Sequence, residues 1–298
     1  MTWQLIIAGA LVGTLVGMTG MGGGSLMTPL LVIVFGFQPA VAVGTDLLHG
    51  AVFKTVGALR HHRLGTVHAR LSGWMLLGSA PMSLVGVAAA AWLKHRYGTG
   101  ADSVQGVVLG SALVVGAAGL GAKSFIRLRP PSDALFVMTG RDRLAAVLIG
   151  LGGGFVVGLT SVGSGVFFGL TMLVVFPLRS VKVVGTDILH AAALLWVAGT
   201  GHLIAGNVDL GAVGWLLIGS VPGVLLGAQI VPRLGENTLR LVLATVLTAS
   251  GLKLLNFPYS NQTAIAALVI GLLAIGATRL PRPSLIAAGG LEPPTSGL

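Results

Sequence analysis

The sequence contains no cysteine and very few charged residues. Only 9% of its 298 residues are Asp, Glu, Lys or Arg, whereas 54% are hydrophobic, and the mean hydropathy is +0.94. A soluble domain carries roughly 25% charged residues, so this chain could not cover its surface in water. Disulfides and thiolate metal sites are excluded, and the composition predicts a protein whose solvent is the lipid bilayer.

Acidic residues are especially scarce, with 8 Asp and Glu against 18 Lys and Arg. The net charge of +10 does not predict a nucleic-acid partner, because the basic residues lie mostly in short loops between apolar runs, as in membrane proteins. Walker-type, G-x-S-x-G and HExxH motifs are also missing in a usable context. We therefore predict no enzyme activity, cofactor or metal site. The N-terminal run lacks a basic start and is predicted to be a retained membrane segment.

Glycine is abundant, and much of it recurs at a fixed offset of 141 residues. The stretch VGTDLLH, which holds Asp46 and His49, recurs as VGTDILH with Asp187 and His190. The register holds without a gap from residue 16 to residue 93. Chance would not keep such a register, so the sequence predicts an internal duplication.

The duplication predicts an all-α integral membrane protein, a multi-pass bundle built from two repeats. The predicted parts are a first membrane repeat at 1–123, a basic cytoplasmic linker at 124–143, a second repeat at 144–256, an extra transmembrane helix at 257–280 and a disordered tail at 281–298. Small residues in such a bundle allow close helix packing.

Each repeat starts with two apolar segments around a Gly-rich break, TGMGGGS at 19–25 and TSVGSG at 160–165. These segments are shorter than the ~20 residues of a spanning helix. Each pair therefore forms either a re-entrant hairpin or one broken crossing. Hairpins give inverted repeats and place 14 Lys and Arg residues inside, against Lys94, Arg96 and Lys253 outside. Single crossings give a nearly even split, so the positive-inside rule favours inverted repeats.

The Gly-rich breaks are the first candidate site. Non-helical backbone at membrane depth is tolerated where it is buried or lines a cavity, and the N-terminus of the next half-helix suits an anion. Tight packing or a simple turn is the alternative. The predicted substrate-binding residues are Thr19, Gly22, Gly23, Gly24, Ser25, Thr160, Ser161, Gly163, Ser164 and Gly165.

The repeated acid and histidine are the second candidate site. Asp46 and His49 share a helix face because they are three residues apart, as do Asp187 and His190. Ionisable residues inside membrane segments are costly and often functional, which predicts proton coupling or gating. Gly-Thr-Asp is also typical of a helix N-cap, and the histidines are equally compatible with purely structural hydrogen bonds.

Lys54 has no counterpart in the second repeat, where Leu195 stands at the equivalent position. Three roles are open to it: pairing with Asp46, contacting an anion, or extending toward the basic loop that begins at Arg60. The last is slightly favoured, because a lysine stem packs readily against apolar surface while its amine reaches water.

Taken together, the two breaks, the VGTD-x-x-H stretches and the Gly-Ser-x-Pro-x-x-x-x-Gly segments at 78–86 and 219–227 resemble the TauE/SafE sulfite exporter family over residues 5–256. The resemblance implies a permease of the bacterial inner membrane that moves sulfur-containing or carboxylate anions. The implied partners are a small anionic substrate and the lipid bilayer, with no nucleic acid, and a homo-oligomer is compatible with it. A membrane scaffold without transport is the alternative.

Overall fold

The computed structural model describes residues 2–19, 24–122, 136–230, 236–256 and 262. Within these residues the chain is helical and contains no β-strand, as predicted. The helices are α1 (Thr2–Thr19), α2 (Gly24–Ile33), α3 (Pro39–Arg63), α4 (Ala69–Tyr97), α5 (Ala101–Ala122), α6 (Gly140–Thr160), α7 (Val166–Val175), α8 (Ser180–Ile204), α9 (Leu210–Ile230) and α10 (Glu236–Leu254), with a 3₁₀ turn at Gly98–Gly100.

Part of the predicted organisation lies outside the described residues. This applies to 124–135 of the predicted linker, and to the predicted extra helix and tail apart from residue 262. The domain boundaries and the choice between re-entrant hairpins and broken crossings stay predictions.

Four of the described helical segments are long and apolar enough to cross a membrane: Ala69–Tyr97, Ala101–Leu120, Gly140–Thr160 and Val181–Ile204. Large apolar side chains also point outward, since Leu11, Leu77 and Leu144 are each more than 60% exposed. Polar side chains, in contrast, are buried between the helices. This distribution is opposite to that of a soluble protein and supports a membrane protein.

The two helices that carry the repeated acid and histidine begin and end at equivalent residues. Helices α3 and α8 both contain 25 residues and coincide under the 141-residue offset. Proline in the first turn suits the start of α3, because it has no N–H to satisfy there. Gly65 and Gly206 follow the two helix ends with φ angles of +64° and +71°, a left-handed conformation that glycine adopts readily and that stops a helix.

The central pair of helices, α3 and α8, runs antiparallel. Gly50 faces Leu195, whereas Gly57, seven residues further along α3, faces Ile188 on α8. The indole N–H of Trp196 donates to the hydroxyl of Thr55 at 3.0 Å in the same interface. The C-terminal end of α3 therefore lies beside the N-terminal end of α8.

The other major contacts join helices of different repeats through glycine. On α1, Gly9 and Gly13 lie against the backbone of α9, and on α6, Gly150 and Gly154 lie against the backbone of α4. The two helices of each pair run parallel, and in each pair the contact is made by two glycines spaced four residues apart. Such spacing allows two helix backbones to touch in a membrane.

The contacts between the repeats are exchanged reciprocally. Helix α1 contacts α9 and its equivalent α6 contacts α4, whereas α3 contacts its own equivalent α8 in antiparallel orientation. This is the contact pattern of a two-fold axis perpendicular to the central helices. The pattern supports the inverted arrangement, whose orientation in the membrane stays a prediction.

We expect Gly154→Ala to destabilise the protein and Gly152→Ala to leave it unchanged or slightly stabilised. A Cβ atom at Gly154 would overlap the backbone of Ser79 on α4, whereas one at Gly152 on the same helix meets nothing within 4 Å. Overpacking costs about 1–3 kcal/mol, and removing an unconstrained helix glycine gains up to about 1 kcal/mol. Thermal unfolding in detergent measures the difference. Equal melting temperatures would refute tight contact between α4 and α6.

We expect cysteines replacing Arg63 and Arg179 to react from the same side of the membrane, the cytoplasmic side. Arg63 ends α3 and Arg179 precedes α8, and the antiparallel packing brings these ends together. Because the chain has no cysteine, each variant carries a single thiol for an impermeant maleimide. Arg96→Cys, predicted to lie outside, is the control for the other side. Labelling of positions 63 and 179 from opposite sides would overturn the inverted model.

Candidate functional site

A cluster of buried polar side chains lies between α3, α8 and the second Gly-rich break. Asp46 is 2% exposed. Its Oδ2 accepts hydrogen bonds from the hydroxyl of Thr28 on α2 at 2.6 Å and from the hydroxyl of Ser161 in the second break at 2.8 Å. A carboxylate of the first repeat is thus bonded to the broken segment of the second repeat.

The alternative that the two acids are N-caps is wrong. Helix α3 begins at Pro39 and α8 at Ser180, so Asp46 and Asp187 lie well inside these helices. The neighbouring threonines instead bind the start of a helix in the other repeat. The Thr45 hydroxyl accepts from the N–H of Asp209 at 3.0 Å, and the Thr186 hydroxyl accepts from the N–H of His68 at 2.9 Å.

The two histidines make equivalent bonds to the opposite repeats. The Nε2 atom of His49 lies 2.8 Å from the Ser220 hydroxyl on α9, and that of His190 lies 2.9 Å from the Ser79 hydroxyl on α4. Both histidines are buried, and in the described part of the chain neither Nδ1 atom has a hydrogen-bond partner. Each histidine therefore keeps one ring nitrogen uncommitted.

Lys54 is buried at 5% exposure and does not extend toward the basic loop, so the favoured prediction for it is wrong. Its Nζ donates to the backbone oxygen of Ser164 at 2.8 Å and to the Ser164 hydroxyl at 3.1 Å. The ammonium group also lies within electrostatic range of both Asp46 and Asp187. It is thus the cation of a cluster that also holds two carboxyl groups.

Asp187 is as deeply buried as Asp46 but differently bonded. It is 4% exposed, and its Oδ1 has no hydrogen-bond partner among the described residues. Lys54 acts on it electrostatically. An unpartnered carboxylate oxygen in an apolar interior is costly, so this atom calls for a functional explanation.

The second break has a backbone that few residues adopt. Ser161 ends α6 with a left-handed φ of +61°, and Gly163 has a φ of +114°. Thr160 binds back to Val156. Gly165 precedes α7 without any side-chain cap. The positive end of the α7 dipole therefore begins next to Ser164, the residue that binds Lys54.

The first break is described only in part. Gly22 and Gly23 lie outside the described residues, and only the backbone is described at Thr19, which ends α1, and Gly24, which begins α2. Ser25 is buried at 4% exposure. The structure thus places Ser161 and Ser164 beside the acid and lysine, while the role of the first break stays a prediction.

Sequence reasoning assigned no role to Ser79, Ser220 and Thr28. The two serines were visible as a repeated polar position inside apolar helices, and this recurrence could have indicated partners for the repeated histidines. Thr28 has no such signal, because Gly169 stands at its equivalent position. Among the described residues, no group of three or more acidic residues and histidines could hold a metal ion.

Buried charge inside apolar helices that exchange contacts between two repeats defines the class of polytopic membrane transporters. The family model of the sulfite exporter TauE/SafE matches residues 5–254. The chain therefore belongs to this family and is a membrane transporter, not an enzyme. No solved structure matches it.

Two curated relatives come from Bacillus subtilis (strain 168). The probable membrane transporter protein YjnA is 36% identical over 261 residues, which cover 86% of this chain and all of the relative. The probable membrane transporter protein YdhB is 25% identical over 84% of this chain and 99% of its own length. Both similarities extend over most of this chain and nearly all of each relative.

We expect Gly163→Ala to impair transport strongly and to lower stability by about 1–3 kcal/mol, because a side chain is strained at this φ. Gly169→Ala is the control, since this glycine lies within α7 and a Cβ there meets nothing within 4 Å. Flux in proteoliposomes, normalised to folded protein, measures the effect. Full flux in Gly163→Ala would reduce the break to a packing turn.

Proposed function

We propose that this protein is a secondary transporter for small anions, in particular sulfite, organosulfonates or related sulfur-containing and carboxylate anions. The substrate binds at the paired Gly-rich breaks near the membrane midplane. The observation that carries the proposal is the buried Lys54 ammonium bonded to Ser164 in the second break. Without a ligand role, a buried lysine is a cost that an apolar residue, such as Leu195 in the other repeat, avoids.

The electrostatics of this position favour an anion. The Lys54 ammonium lies beside the uncapped start of α7, so a positive charge adjoins the positive end of a helix dipole. Two of the three lysine N–H groups can donate to Ser164, which leaves one for a ligand oxygen. A sulfonate, sulfite or carboxylate group offers that oxygen.

The paired acids and histidines supply gating or proton coupling in this proposal. Asp46, His49, Asp187 and His190 lie on the two antiparallel helices that connect the repeats. Their bonds to Ser161, Ser79 and Ser220 cross from one repeat to the other. Rocking of one repeat against the other would therefore break and remake bonds at these residues.

The inverted repeats would provide alternating access in the bacterial inner membrane, driven by an ion gradient or by the substrate gradient. The reciprocal contacts between the repeats support this arrangement. A membrane scaffold is a weaker candidate, because packing alone gives no reason to bury Lys54 and two acids at the contact between the repeats.

The direct test is flux in proteoliposomes with radiolabelled sulfite, thiosulfate, sulfonates and small carboxylates. We expect saturable uptake of at least one of these anions and a loss of about tenfold or more in Lys54→Met, on the scale of a lost charge-assisted contact. Potassium and neutral sugars are the control solutes. Absence of flux for every anion by folded protein would favour the scaffold.

The same assay tests the histidines. Between about pH 5 and 8, where histidine changes charge most readily, we expect His49→Gln and His190→Gln to flatten the pH profile of the initial rate. The Ser220→Ala and Ser79→Ala variants remove only the hydroxyls bonded to the histidines. They serve as matched controls for the loss of the hydrogen bond without the loss of the imidazole. Unchanged profiles in both histidine variants would leave these side chains with a structural role.

A further inference from the structure

The two equivalent acids have unequal surroundings. Asp46 accepts hydrogen bonds from Thr28 and Ser161. Under the 141-residue offset, the positions equivalent to these two donors are Gly169 in the second repeat and Gly20 in the first. Glycine has no hydroxyl, so neither equivalent position offers Asp187 a side-chain donor, and its Oδ1 has no partner among the described residues.

The two acids therefore differ in how their negative charge is stabilised. Hydrogen bonds donated to a carboxylate stabilise its ionised form, and Asp46 has two. Lys54 attracts both carboxylates through space, Asp187 more strongly than Asp46, and for Asp187 no hydroxyl donor adds to this attraction. Since the two side chains are almost equally buried, at 2% and 4% exposure, exposure to solvent does not separate them.

The charges of the cluster constrain what it can bind. One ammonium and two carboxylates sum to a net negative charge, and the histidines within the same cluster, His49 and His190, are bonded to serine hydroxyls. An arriving anion would be repelled by this sum. Uptake of one proton by the cluster removes the excess negative charge.

We propose that Asp187 is the one of the two acids that carries the exchangeable proton of this site, that the proton binds together with the anion at Lys54, and that Asp46 stays ionised as a structural anchor. The inference rests on the proposed anion transport. When an anion takes the charge of Lys54, Asp187 loses its counter-charge and accepts a proton. When the anion leaves, Lys54 again stabilises the Asp187 carboxylate and the proton is released. By linkage, the proton favours the anion equally.

The exchanged ion is a proton and not a metal cation. A sodium ion near Asp187 would lie within range of the Lys54 ammonium, and like charges in an apolar interior repel strongly. The described residues also hold no group of three or more histidines and acids that could bind a metal ion. A proton needs only the one oxygen that is without a partner.

The test is labelling with dicyclohexylcarbodiimide, which adds to protonated carboxyl groups in apolar sites and is located by mass spectrometry. It uses the full chain in native membranes near neutral pH and needs no substrate. We expect on the order of tenfold more label at Asp187 than at Asp46, because two hydroxyl donors stabilise the ionised form of Asp46 and not that of Asp187. Asp187→Asn should lose this label, and Asp46→Asn should keep it.

Two reciprocal sets of substitutions test whether the hydroxyl donors cause the difference in labelling. Thr28→Val with Ser161→Gly removes both hydroxyls from Asp46, and glycine suits the φ of +61° at position 161. We expect Asp46 to become labelled.

Gly169→Thr adds the hydroxyl that the first repeat has, and space is available because a Cβ there meets nothing within 4 Å. We expect less label at Asp187 than in Gly169→Ala.

Lys54→Met imitates the state in which an anion has neutralised the lysine. Labelling of Asp187 should increase several-fold, because the carboxylate then lacks its counter-charge. The equivalent Leu195 shows that the fold accepts an apolar residue at this position. Unchanged or reduced labelling would overturn the link between Lys54 and the proton.

Equal labelling of both acids, labelling of Asp46 alone, or no labelling at either would overturn the division of roles even if anion flux is found. Preferential labelling of Asp187, together with no flux of any anion, would instead refute the proposed function. The difference in protonation between Asp187 and Asp46 would still hold. The two failures are therefore distinguishable.

Discussion

Direct contact between helix backbones of different repeats is the constraint on which this structure depends. Gly154 on α6 and Gly13 on α1 lie against Ser79 and Ser220, and a Cβ atom at either glycine would overlap the opposite backbone. These serines are the same residues that bind His190 and His49. Close packing thus fixes the helices that carry the histidine partners, and a change in packing would move the polar site with it.

The buried polar cluster is a second connection between the two repeats. Burying Lys54 and two carboxyl groups is expensive in an apolar bundle, and hydroxyl and backbone groups of the second break offset part of this cost. Ser161 and Ser164 can bind these charged groups because α6 ends at Thr160. The backbone and hydroxyl groups of the break are then free to face Asp46 and Lys54 on α3. A continuous helix would use its backbone oxygens internally and could not offer the Ser164 oxygen to Lys54.

Much of the fold could be predicted from the sequence. The repeated VGTD-x-x-H stretch predicted equivalent helices, and the structure gives α3 and α8 the same length and the same glycine stop. The partners of Lys54 could not be predicted, because Ser164 is 110 residues away and its position depends on the irregular turn at Gly163. The N-cap interpretation of the acids failed for a related reason: the helices begin earlier, at Pro39 and Ser180, and the capping threonines serve helices of the other repeat.

The departures from symmetry carry more information about mechanism than the symmetry itself. Two identical inverted halves would give inward- and outward-facing states of equal energy, with the same groups exposed in each. Lys54 opposite Leu195, and Thr28 opposite Gly169, give the first repeat the lysine of the cluster and a hydroxyl donor to its own acid, and the second repeat neither. In the proposed mechanism the two states therefore bind anion and proton unequally, although the same helices form both.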